Sequence, residues 1–276
     1  MSTASLRRLA PAVSDELRRF WNLTWTLAAT DWKLRFYGSV LGYVWTLARP
    51  FAFFGVIYVV FTKIAKIGAD IPNYGIYILF SMVLFQFFGE ATTNCVTALV
   101  NRENMLRKMR FPRLVIPLST VLTALLNLAM TLCAVVVFAI ATGIYPDWGW
   151  LELPVLIAVL ALLATGTGML LSALYVRYRD VQPIWDVGSQ ILFYASPVLY
   201  VATMVPESYQ QAYLFNPIAT ILTQVRHTIV DPAAPPVWDL IGGPAWLLVP
   251  LAISALVFAL GLWVFNREAP RIAENL

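Results

Sequence analysis

Glu90, Asp180, Asp186, His227 and the thiols Cys95 and Cys133 are the side chains within or beside the long apolar tracts of this chain that could do chemistry. Group transfer at a membrane face would need paired carboxylates or a metal cluster. Asp180 and Asp186 come nearest to a pair, but Arg179 beside Asp180 favours a loop ion pair or a helix cap. A single histidine with no carboxylate or cysteine cluster near it is a poor metal centre, so His227 reads as a surface or interfacial residue. Both cysteines fall in apolar tracts, where a thiol behaves as a small apolar side chain. The sequence has no G-x-x-x-x-G-K-[ST] phosphate loop and no polar segment long enough for a nucleotide-binding domain. These observations predict a chain that is not itself an enzyme, with no metal or cofactor of its own.

The remaining polar groups form stripes at helical spacing. Gln86, Glu90, Asn94 and Thr97 share one helix face, Ser119, Thr123, Asn127 and Thr131 repeat every four residues on another, and Asp186, Gln190 and Tyr194 do so on a third. Polar groups in lipid cost free energy unless they face protein, water or substrate. The Ser/Thr/Asn stripe is expected to make inter-helix hydrogen bonds. Glu90 lies about 17 Å up its helix from Asn101 at about 1.5 Å per residue, deep enough to require a partner or water. Arg49 is one candidate partner, and Glu90 is either half of a structural pair or a path-lining group. Phe85, Phe88, Phe193, Tyr194 and Tyr200 are candidate path contacts, since an aromatic ring offers a flat face to a passing substrate; packing or lipid-facing roles are the alternative.

The elements that must position these groups are membrane helices. With 60% apolar and 12% charged residues, the chain is far from the roughly 25% charged composition of soluble domains. Six stretches suit a hydrocarbon core, which takes about 20 apolar residues of helix. They are 41–62, 74–100 (its apolar part ending near Glu90), 115–143, 153–175, 187–204 and 246–265. Apart from Arg49, every Lys and Arg falls between these runs. Arg7, Arg8, Arg18, Arg19, Lys33 and Arg35, then Arg102 to Arg113, then Arg177 and Arg179, then Arg267 and Arg271 lie on one side; only Lys63, Lys66 and Arg226 lie on the other. Both termini are therefore expected to be cytoplasmic. The net charge of +4 tracks these loops and does not form a nucleic-acid-binding stripe. The first apolar run is too interrupted by charge for a cleavable signal peptide, so the amino end is expected to be retained.

Two shorter segments complete the pattern. Over 14–37, Leu17, Trp21, Trp25, Ala28 and Trp32 recur at helical spacing while Arg18, Arg19 and Asn22 lie elsewhere around the helix, with Ser14 as a cap and Asp15 and Glu16 in the first turn. This predicts an amphipathic helix at the membrane interface. Residues 101–113, NRENMLRKMRFPR, mix basic side chains with Met105, Leu106, Met109 and Phe111, and read either as a docking segment or as an ordinary basic loop. Gly166, Gly168 and Ser172, with Ala161 and Ala164, mark a close helix-packing face.

Three stretches resemble the membrane subunit of type-2 ABC exporters, in the branch that exports lipid-linked polysaccharides such as O-antigen, teichoic acid and galactan. The first runs from Asp31 through Trp32, Lys33, Arg35, Leu41 and Gly42 to Trp45 and Pro50. The second is Tyr178-Arg179-Asp180-Val181, and the third runs from Gln190 through Phe193, Tyr194, Ser196-Pro197 and Tyr200 to Asn216-Pro217. Thr30 and Arg49 depart from the pattern, which often has a basic residue at the first position and an uncharged one at the second.

The resemblance implies an all-α polytopic protein of the bacterial plasma membrane in one domain, 1–276, with re-entrant helices over 195–229 between spans five and six. The breaks at Pro197, Pro206 and Pro217 independently make that tract too interrupted for a full span. It further implies that 101–113 holds a coupling segment, with Glu103, Met105, Leu106, Arg107, Lys108, Arg110, Phe111 and Arg113 meeting a separate ATP-binding subunit. Trp32, Lys33, Arg35, Leu41 and Gly42 would form the entry. ATP and Mg would belong to that partner, present in two copies against a homodimer of this chain, and the cargo would be a polyprenyl-linked polysaccharide. A drug or lipid exporter permease is the nearer alternative, and a membrane enzyme acting on lipid-linked sugars the more distant one.

Overall fold

The computed structural model describes residues 3–37, 41–68, 71–108 and 111–275. Among the described residues the chain is helical, with no strand. Its helices are α1 (Thr3–Phe36), α2 (Gly42–Tyr58), α3 (Tyr74–Asn101), α4 (Glu103–Lys108), α5 (Val115–Ala141), α6 (Glu152–Arg177), α7 (Val181–Tyr194), α8 (Glu207–Leu214), α9 (Pro217–Val225), α10 (Val237–Leu240) and α11 (Leu248–Asn275). Helix α2 runs on as a π-helical stretch, Val59–Ile64. Among the described residues five helical stretches are long and apolar enough to cross a membrane: Val44–Ile64, Tyr74–Asn101, Val115–Ala141, Trp148–Arg177 and Pro244–Glu268.

The expectation of a continuous helix over 187–204 is corrected. The helix there is α7, which starts earlier, at Val181, and stops at Tyr194. Pro183 sits in its first turn, where the missing N–H is not needed, and Asp186 is accommodated on an exposed face. Turns around Ser196-Pro197 end the helix. Its 14 residues span only about 21 Å, less than a hydrocarbon core. The amphipathic helix is longer than expected: α1 begins at Thr3, so Ser14 lies inside it and does not start it. Leu6, Arg7, Arg8, Leu9 and Ala10 are good helix formers, and the helix runs on through Pro11 despite its missing N–H.

Helix α3 is the central post. It packs on α2, α5, α6, α7 and α9, and most of its residues from Tyr74 to Leu99 are buried. It starts after Asn73, whose φ of 53° is tolerated by the short polar side chain. Helix α11 packs along α6, and glycines make the contact. A Cβ on Gly166 would lie 2.5 Å from the Phe258 Cα, and one on Gly261 would overlap the Gly166 carbonyl oxygen. A Cβ on Gly168 would meet the Cys95 sulfur at 2.8 Å. The expected packing face is found, with Gly261 as its unforeseen partner.

One end of the bundle gathers Leu99, Ile116, Met169, Val176 and Phe265, joined by Leu106 and Phe111. The basic segments around Arg102, Arg113, Arg177 and Arg267 are thereby brought to the same end. At the opposite end a cap is tied to the post by tyrosines. Tyr74 donates to the Leu199 carbonyl at 2.5 Å, and Tyr77 donates to the carbonyls of Pro197 and, at 3.0 Å, Tyr200. Asn216 accepts from the Ile218 N–H at 3.0 Å as the N-cap of α9, while its amide donates to Ser196 at 3.0 Å. His227 is half-buried in this cap, with Nδ1 2.7 Å from the Ala234 carbonyl and its ring edge-on to Trp238.

Candidate functional site: a polar groove along the central helix

Between Tyr74 and Val100 the post is exposed at two positions, Gln86 and Asn94. Both are amides, and both line a groove of about 820 Å³ between α3, α2 and the ends of α1 and α7. The Gln86/Glu90/Asn94 stripe is thus the floor of a cavity. Arg35 and Arg49 stand on the α1 and α2 side, and Phe85 and Phe193 on the aromatic side. A second polar chamber of about 340 Å³ shares Arg35 and Asn94 with the groove and continues past Thr97 and Asn101 to Asp31 and Arg102. Polar side chains thus recur along this side of the post from Asn101 to Gln86.

Glu90 is held by Arg35, not by the Arg49 that the sequence suggests. The Arg35 guanidinium lies 2.5 Å from Glu90 Oε1, and the Asn127 amide donates to the same oxygen at 2.6 Å. Local sequence cannot reveal this, because α1 returns across α3 and α5 in space. Lower down, Arg102 pairs with Asp31 and donates to Ser119 Oγ at 3.0 Å. Asp31 and Arg35 are four residues apart on α1, so two ion pairs of opposite sense fasten one turn of α1 to the post. Thr123 adds a 3.3 Å bond to the Ala28 carbonyl.

The Ser/Thr/Asn stripe of α5 thus reaches other helices through Ser119, Thr123 and Asn127. Thr131 donates to the Asn127 carbonyl of its own helix, at 3.0 Å. The α7 stripe is different: Asp186, Gln190 and Tyr194 are all exposed.

The candidate aromatic contacts divide by burial. Phe193 and Phe85 pack edge-to-face, with centroids 5.2 Å apart, on the groove wall. Phe88 is 2% exposed, packed between Phe85 and Trp185, and is not among the groove-lining residues. Tyr194 is 69% exposed. Tyr200 donates to the Tyr194 carbonyl at 3.0 Å and accepts from Tyr213 at 3.1 Å, so it belongs to the capping network.

On α1, Trp21 and Trp25 are exposed while Ala28 is buried; α1 packs on α5. Trp32 stacks edge-on against buried Phe36 at 5.3 Å, Lys33 is exposed, and Leu41 and Gly42 lead into α2. In α4, Glu103 lies in the first turn and Lys108 is exposed, whereas Leu106 and the following Phe111 pack inward on the bundle end. Met105 and Arg113 are half-buried. The Arg107 side chain and the whole of Met109 and Arg110 lie outside the described residues. Among the described residues no group of three or more His, Cys, Asp or Glu side chains is placed to hold a metal ion.

Comparison with known proteins points to transport. Residues 22–230 match the family model described as ABC-2 type transporter. An O-antigen export system permease protein RfbA of Klebsiella pneumoniae is 28% identical over 247 residues, covering 89% of this chain and 92% of the relative. The protein of that name from Myxococcus xanthus is 28% identical over 267 residues, 95% of this chain and 98% of the relative. The polysialic acid transport protein KpsM of Escherichia coli is 19% identical over 203 residues, 72% of this chain and 77% of the relative. A helical bundle with five membrane-length stretches and a family match over residues 22–230 make this chain a multi-pass bacterial inner-membrane protein of the ABC-2 type transporter family.

Proposed function

We propose that the chain is the membrane subunit of an exporter that moves a polyprenyl-linked polysaccharide outward, driven by a separate ATP-binding subunit. The observation that carries this reading is the groove. The one open face of an otherwise buried post bears amides, an ion pair and aromatic rings, and polar groups at membrane depth belong where water or substrate passes. Aromatic walls suit sugar faces, and no single contact need bind tightly. Among the candidate path residues, Phe85, Phe193 and Glu90 line the groove; Phe88 supports it from behind, and Tyr194 and Tyr200 stand toward the capped end.

The assembly proposed is a homodimer with two ATPase copies, ATP and Mg residing in the partner. Both termini and the basic bundle end face the cytoplasm. Helix α7 serves as a shortened fifth crossing, with α8 to α10 dipping back into the outer leaflet. Helix α4 and the residues after it meet the ATPase through Glu103, Met105, Arg107, Lys108, Arg110 and Arg113, while Leu106 and Phe111 anchor the segment to the bundle. Arg102 is both the residue between α3 and α4 and the partner of Asp31, so displacement of α4 would be felt by α1. Trp32, Lys33, Arg35, Leu41 and Gly42 frame the entry where α1 hands over to α2.

Gly89 offers a direct test, because a Cβ there would meet nothing within 4 Å and the position opens onto the groove. In proteoliposomes holding this chain with its ATPase, Gly89→Phe is expected to abolish ATP-driven export of lipid-linked polysaccharide while leaving thermal stability unchanged. Undiminished export would remove the groove from the path. Charge reversal at Arg107 and Lys108 is expected to lower export per ATP hydrolysed by about tenfold, a coupling loss of ordinary size. Unchanged coupling would move the ATPase contact elsewhere.

A further inference from the structure

We propose that Arg49 marks a subsite for a phosphoryl anion carried on a lipid, with the Gln86 and Asn94 amides as its accessory donors. This rests on reading the groove as the substrate path and adds the chemical class of group that the groove receives. Arg49 lies within α2, a membrane-length stretch, and its side chain is exposed to the groove. Charged side chains at such positions are rare and face a partner or a cavity. Among the described residues Arg49 has no ion-pair or hydrogen-bond partner. Glu90 is the sole carboxylate among the groove-lining residues, and Arg35 and Asn127 already share its Oε1. The groove therefore holds two guanidiniums against one carboxylate and carries an uncompensated positive charge.

The accessory groups have the right polarity. Gln86 and Asn94 are the exposed amides of the post, and among the described residues neither is committed to a protein partner. Thr46 and Ser189, also on the groove, donate their hydroxyl protons to the carbonyls of Gly42 and Asp186 at 3.0 and 3.2 Å, and so are not free donors. A planar guanidinium presenting paired N–H groups, with two uncommitted amides lining the same groove, matches a tetrahedral oxyanion better than a neutral sugar hydroxyl. The wall beside Arg49 is apolar, with Trp45, Pro50 and Phe53, which suits the hydrocarbon to which such an anion is attached. Two lipids carry that chemistry: an isoprenyl phosphate that bears the glycan, and an anionic phospholipid of the bilayer.

The test uses the purified full-length chain in phosphatidylcholine nanodiscs, without the ATPase, so that failure of the subsite and failure of the exporter reading are separable. A fluorescent long-chain isoprenyl phosphate is titrated, with the matching isoprenol as a neutral control. Arg49→Gln is expected to weaken isoprenyl phosphate binding by about tenfold, with isoprenol binding unchanged. Arg49→Lys, which keeps the charge but not the paired N–H groups, is expected to show an affinity between those of wild type and Arg49→Gln, and Gln86→Leu with Asn94→Leu to lose a smaller share than Arg49→Gln. If excess phosphatidylglycerol leaves the probe bound, the subsite selects the isoprenyl carrier; if it displaces the probe, a bilayer headgroup is the occupant. Equal affinity of wild type and Arg49→Gln for the phosphate, or an equal loss of phosphate and isoprenol binding, overturns the proposal.

Discussion

Gly261→Leu is expected to prevent accumulation of folded protein. A Cβ at that position would overlap the Gly166 carbonyl oxygen, and the obstacle is helix backbone, which cannot rotate away as a side chain can. Overpacking a close contact costs about 1–3 kcal/mol when side chains can yield, and this site lies beyond that range because two helices must separate. Gly166→Leu is expected to behave alike, since its Cβ would face the Phe258 backbone at 2.5 Å. Gly55→Leu is the control, with nothing within 4 Å of its Cβ. Size-exclusion profiles and thermal midpoints of the detergent-solubilised variants decide the matter; a monodisperse Gly261→Leu variant with an unchanged midpoint would show that α6 and α11 are not held by this contact.

Glu90→Leu is expected to give the second largest effect, on activity more than on folding. The substitution strips Arg35 of its counter-ion and leaves the Asn127 amide, on a residue that is 4% exposed, without its acceptor. An unsatisfied buried donor costs about 1–3 kcal/mol; the ion pair itself adds little, because Arg35 is 39% exposed and solvent screens it. Export is expected to fall by about tenfold or more, because α1 loses the upper of its two ion pairs to the post, the one that lines the groove. Glu90→Gln keeps an acceptor for Asn127 and is expected to recover stability without recovering full activity. The Arg35→Gln and Glu90→Gln losses are expected not to add in the double variant, as for two residues in contact. Additive losses would show that the two side chains act separately.

Much of this architecture is legible in the sequence because lipid imposes simple rules. Helical spacing puts Gln86, Glu90 and Asn94 on one face, and that face is the groove. The glycine face of the fourth span is equally readable, as small residues in an apolar helix have few other uses. What is not legible is whatever depends on how distant segments return. The Arg35 partner of Glu90 lies 55 residues away, and Arg49 competes with it on paper only because it sits inside an apolar run. Apolar composition continues past Tyr194 while the helix does not, and the bonds from Tyr77 and Asn216 that settle the turn come from other elements. Phe88 resembles Phe85 in sequence, and only packing separates the buried ring from the groove wall.

The two open positions on the central post also bear on how such a chain can change through descent. Nearly all of α3 is committed to neighbours, so most substitutions there are filtered by folding. Gln86 and Asn94 touch the groove and little else, and Arg49 and Gly89 share that freedom from the other side of the cavity or its floor. The lining of the groove can therefore drift at a few sites without disturbing the scaffold, and a lineage can alter the chemistry of that cavity while inheriting its helical bundle intact.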